Sequence, residues 1–140
     1  MKGKAIPDQN HIARYCRSTC APEGQIQASA FLLREDEESL SVNWLEILNC
    51  SDRETEIKKI RNIYSLKFNR IGRNAKIIIF NVGDVRNKIK TETSDHRNLE
   101  VLHEPSDDIS HSAIYNLKPD NLMIAELILE IVNEHYSACQ

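Results

Sequence analysis

Residues 75–82 contain Ile77-Ile78-Ile79-Phe80, an unbroken apolar run. The run is short and rich in β-branched side chains, which suit the pleated surface of a sheet better than a helix. A strand with no polar alternation has no face to show to water, so it must be central and covered on both sides. That requirement sets a layered fold around a sheet. At 140 residues the chain can bury about two thirds of its unfolded surface without disulfide staples. We therefore expect one domain over 1–140.

The remaining pattern supplies partners for that strand. Leu40, Val42 and Trp44 alternate with Ser41 and Asn43, the period of a half-buried strand over 39–45. Residues 28–34, with Ala30-Phe31-Leu32-Leu33, read as its hairpin partner across the acidic cluster Glu35–Glu38. Leu99–His103 reads as a further strand, stopped by Pro105, and His11–Cys16 is either a short helix or an extended arm. Ser51 and Glu54 have capping-box spacing ahead of Ile57, Ile60 and Tyr64, which predicts a helix over 52–66. Val85–Lys90 suits a short helix. Lys118–Tyr136 reads as a long helix with Pro119 in its first turn and a wide apolar arc, suited to deep packing or to a partner chain. The expected class is α+β: a mostly antiparallel sheet of four or five strands packed by a middle helix and a long C-terminal helix.

Charge and motifs narrow the chemistry. A net charge of −3 argues against bulk attraction to nucleic acid or anionic membrane. No apolar run approaches the roughly 20 residues of a membrane span, and the N-terminus has no signal-peptide core, so a cytoplasmic location is expected. Cys16, Cys20, Cys50 and Cys139 lack the spacing of a secreted scaffold, and reduced thiols are expected. Cys16 and Cys20 have zinc-ligand spacing but no second pair follows, so no metal is expected. No phosphate-binding loop, dinucleotide fingerprint or zinc-protease motif occurs, and no cofactor is expected.

Three short segments carry the candidate ligand-binding residues. His11, Arg14 and Tyr15 combine a titratable ring with a guanidinium fork that grips phosphate or carboxylate. Ser41, Asn43, Trp44 and Glu46 place small polar groups and an acid beside the only tryptophan. The polar pair shares a strand face opposite Trp44, so a site there needs that face enclosed. His111 and Ser112 lie in a stretch, 107–115, that reads as a loop just ahead of the last helix, and loops of this kind often carry function. A fourth feature is the stretch 52–76, with eight basic residues against three acidic and with Tyr64 and Phe68 interleaved. It suits either a solvated face or RNA contact.

At RYCR (14–17), ASAFLLREDEESLSVNWLE (28–46) and SHSAIYNL (110–117) the chain resembles a group of small bacterial proteins. These share a Tyr-Cys pair, an Ala-Phe-x-Leu-Arg run, a Leu-Ser-Val-Asn-Trp-Leu-Glu run and a late Ser-His element. The resemblance implies a bacterial origin and a whole-chain unit, and carries over no activity. The functional expectation is a cytoplasmic binding module acting with a protein partner. One alternative is a small enzyme or sensor of a nucleotide or other anionic small molecule. A second is an RNA-binding domain.

Overall fold

A computed structural model describes residues 3–139. Among them, six strands form one antiparallel sheet in the order β4-β5-β2-β1-β3-β6, with three α-helices. The chain runs β1 (His11–Cys16), β2 (Leu40–Trp44), α1 (Arg53–Lys67), β3 (Lys76–Asn81), α2 (Val82–Glu92), β4 (Glu100–His103), β5 (His111–Tyr115), α3 (Leu122–Glu130) and β6 (Glu134–Ser137).

The apolar run is central, as its composition requires. Ile78 and Phe80 point to one face, where they join Ile12, Leu40, Val42 and Ile114 under Val85 and Ile89 of α2 and Ile124 and Ile128 of α3. Ile77 and Ile79 point to the other, where Ala13 and Leu45 meet Ile57, Ile60 and Tyr64 of α1. The sheet is thus a middle layer, with α1 alone on one side.

Four expectations are corrected. Residues 28–34 are not a strand. Ala28–Phe31 form a 3₁₀ turn, whose Ala30 and Phe31 enter the core shared with α2 and α3. A short apolar run shows that a segment is buried, not how its backbone is arranged. Here Phe31 packs edge-on to Phe80 at 5.9 Å. The strand paired to β2 on that side is instead β1, which settles His11–Cys16 as extended.

The helix expected over 118–136 spans only Leu122–Glu130 and starts from Asn121, whose side chain accepts from Ile124 N at 3.0 Å. Residues 134–137 leave it to become β6, pairing with β3 from Ile79↔Glu134 to Lys76↔Ser137. The open edge of β3 wins those residues from the helix, because pairing an edge satisfies a whole row of backbone groups. His111–Tyr115, expected within a loop, is instead the strand β5 between β4 and β2, where pairing on both sides satisfies its backbone; with β6 it brings the sheet to six. At α1 the capping side chain is Asp52 rather than Ser51, accepting from Thr55 N at 2.8 Å.

Candidate functional site

β1 pairs with β3 along all six residues, from His11↔Asn81 to Cys16↔Lys76, but with β2 only at Ile12↔Trp44 and Ala13↔Asn43. Beyond Ala13 the two strands part. The chain after β1 fills the space with three 3₁₀ turns, at Ser18–Cys20, Pro22–Gly24 and Ala28–Phe31. Arg14 bridges the gap. Its Nε donates to the Ala30 carbonyl at 3.0 Å and its Nη1 to the Ser41 carbonyl at 2.8 Å. A side chain here does what a strand ladder does elsewhere, giving backbone acceptors their donors.

The gap opens into a cavity of about 480 Å³, within the range of small-molecule sites. Among the described residues its charged lining is Arg14, Arg17, Arg34, Lys67 and Arg70, with Glu37 as the one carboxylate. These cations come from β1, the loop before β2, the end of α1 and the loop after it. Among the described residues none of the five forms an ion pair with a carboxylate. Glu37 instead accepts from the Arg34 backbone N–H at 3.0 Å. Gly72 lets the loop carrying Arg70 close on the first 3₁₀ turn: a Cβ there would collide with the Ser18 hydroxyl, which accepts from Asn74 N at 3.2 Å.

Aromatic rings and a polar network complete the slot. Tyr15 stacks on Phe68 with centroids 4.2 Å apart and meets Tyr64 edge-on at 5.1 Å. Tyr64 is buried and donates to Asn43 Oδ1 at 2.8 Å. Asn43 Nδ2 in turn donates to Asp108 Oδ2 at 2.7 Å and to Ser110 Oγ at 3.0 Å. Every polar atom of the Asn43 amide is therefore engaged, as burial demands. The enclosure that the polar face of β2 needs is supplied at Asn43 by α1, while Ser41 stays exposed beyond it.

Electrostatics follow from this placement. Burial pushes the Arg14 guanidinium below its usual value, opposed by Tyr64 and Glu37; an arginine still holds its proton at any ordinary pH. Burial raises the Tyr64 and Tyr15 phenols, so both stay neutral donors. At Cys20, which lines the slot, burial opposes ionisation, but hydrogen bonds from Ser29 and Arg17 outweigh it and hold the thiol below its usual value. Cys16, fully buried at the end of β1, is raised to about 11 by burial and by Cys20.

The nine candidates from the sequence fall into separate places. Arg14, Tyr15, Ser41 and Asn43 line the slot. His11 and Glu46 form a pair at the other end of β1, with Nδ1 to Oε2 at 2.8 Å and the His11 N–H donating to Oε1 at 2.7 Å. Trp44 donates to Asn10 Oδ1 at 2.8 Å and meets His103 edge-on at 5.0 Å. His111 lines a second cavity of about 410 Å³ with Ile63, Leu66, Ser106, Asp107 and Asp108, and Lys67 is common to both cavities. Ser112 is fully buried and donates to the Ser110 carbonyl at 3.0 Å.

The slot also takes in residues from other features of the sequence. Tyr64, Lys67, Phe68 and Arg70 belong to the basic stretch 52–76, and Arg17 and Cys20 to the segment after β1. Arg34 ends the Ala-Phe-x-Leu-Arg run, but nothing in that run marks it as a binding residue. Among the described residues no cluster of three or more His, Cys, Asp or Glu is placed to hold a metal ion. No described helix is long and apolar enough to cross a membrane. Comparison with protein-family models, curated proteins and solved structures found no match.

Proposed function

We propose that this protein binds an anionic small molecule in the slot between β1, β2 and the end of α1. The observation that carries the reading is the set of five cationic side chains from separate segments, facing one cavity and forming no ion pair with a carboxylate among the described residues. A chain of net charge −3 has acid to spare for neutralising them. Unpaired like charges around a cleft raise the local concentration of counter-ions, and guanidinium forks match phosphate and carboxylate oxygens. Arg14 is held from two sides, so its orientation is set before a ligand arrives, which lowers the cost of binding.

The test is thermal unfolding in phosphate, sulfate and citrate against chloride at matched ionic strength. A ligand that binds only the folded state raises the melting temperature with its concentration. The parent protein gains stability in at least one of the three anions, and Arg14→Met and Arg70→Glu lose that gain. Parallel responses in parent and variants would oppose the reading.

A second reading, a protein partner, is favoured by Leu66 and Ile109, which are 82% and 61% exposed. Leu66 lines the second cavity and Ile109 lies in the loop that lines it. Capture of one stoichiometric partner that Leu66→Asp abolishes would support it; capture indifferent to that change would oppose it.

A further inference from the structure

We infer that the ligand of the slot carries two phosphoryl groups, an inference that rests on reading the slot as an anion site. The charge count decides this. Among the described residues that line the slot, five cations against Glu37 leave four positive charges unmatched. One phosphoryl group brings about −1.5 to −2 at neutral pH, so a single group leaves half of that charge unanswered. Two groups balance it.

Geometry points the same way. The cations arrive from four separate segments of the chain, so the positive charge is distributed around the cavity lining and not held on one strand. Four of the five are arginines, whose planar forks engage phosphate oxygens in pairs. Arg14 spends two of its five N–H donors on Ala30 and Ser41 and keeps the others for a ligand.

The rings argue against a nucleic-acid strand. Single-strand binders offer open aromatic faces for successive bases. Here Tyr15 and Phe68 stack on each other, Tyr64 meets both, and the Lys67 ammonium lies over Phe68 at 5.7 Å. Recognition falls to charge and not to stacking, which fits a compact polyanion.

The experiment is calorimetric titration of the full chain with inorganic phosphate, inorganic pyrophosphate and a 12-nucleotide RNA at one fixed ionic strength without divalent cations. Pyrophosphate binds at least tenfold more tightly than phosphate. Arg70→Ala, an exposed change that leaves the core untouched, weakens pyrophosphate at least fivefold and phosphate less, and Lys67→Ala does the same. Equal affinity for phosphate and pyrophosphate would overturn the two-group inference and leave the anion site standing. Binding of neither would remove both. RNA that binds more tightly than pyrophosphate, and is not displaced by it, would overturn the inference in favour of a polymer backbone.

Discussion

Arg14 sits where β1 leaves β2, and its guanidinium holds two backbone carbonyls that no strand partner reaches. Replacing it with methionine keeps the apolar stem and removes both donors. Leaving a buried acceptor unpaired costs about 1–3 kcal/mol. The Ala30 carbonyl belongs to a buried residue, while Ser41 is exposed to water. Arg14→Met therefore lowers stability by that order in urea denaturation and abolishes anion binding. Arg14→Lys keeps the charge, loses the fork, and falls between the two in both measurements. Tyr64→Phe removes the donor to Asn43 Oδ1 without changing the ring packing on Tyr15 and Phe68. It costs a similar amount by the same argument, with anion affinity changed less than in Arg14→Met. The thiols separate by environment. Cys16, buried and raised to about 11, resists iodoacetamide at pH 8 in the folded protein and reacts only after unfolding. Cys20, beside Arg17 and held below its usual value, reacts first of the pair, and peptide mapping by mass spectrometry reads the order.

At the level of elements, α1 and β6 carry the most informative tests. The Thr55 side-chain and backbone hydrogen bonds to Asp52 hold its carboxyl below the usual range. Its folded value is the lower one, so its contribution to stability is complete above the unfolded value, near pH 4. That contribution is lost as pH falls through the folded value. Asp52→Asn therefore loses less stability on acidification below about pH 4 than the parent does, as followed by circular dichroism. Deleting residues 134–139 uncovers the edge of β3 and removes the Arg53–Glu134 pair and the Arg61 bond to the Ser137 carbonyl. An uncovered apolar edge recruits other strands, so the truncated chain aggregates on size-exclusion chromatography where the parent does not. β2, β3, β4, α1 and α2 could be read from local periodicity, because each shows one face or none to water along its own length. β6 could not, because residues 134–136 continue the amphipathic pattern of a helix over 118–136 and only the vacant edge of β3 makes them a strand. The turn at Ala28–Phe31 escaped for the same reason: burial of Phe31 against Phe80 is a tertiary fact.

At the scale of the whole molecule, the slot exists because β1 follows one neighbour and abandons the other, which no local pattern reports. The sequence identified Arg14, Tyr15, Ser41 and Asn43 by chemical type, and Tyr64, Lys67, Phe68 and Arg70 as a basic and aromatic run. That these two groups face each other depends on α1 crossing the Asn43 face of the sheet. Arg34 ends the Ala-Phe-x-Leu-Arg run, yet nothing local distinguishes its side chain from that of a solvated arginine. The gathered charge also has a cost that spreads over the fold, since like charges held together repel. Arg70, exposed and without an ion pair among the described residues, shows this most cleanly. Arg70→Glu leaves the ligand-free protein as stable as the parent or more so, while its affinity for pyrophosphate falls, and urea denaturation paired with calorimetry reads the opposite signs. The most direct measurement is a ¹H–¹⁵N spectrum of the parent titrated with pyrophosphate. The amides of Tyr15, Arg34, Ser41, Lys67 and Arg70 shift together and saturate at one dissociation constant, while His11, Trp44 and His103 at the other end of the sheet stay in place. Shifts centred on His11 and Trp44, or spread evenly over the surface, would contradict a slot built around Arg14.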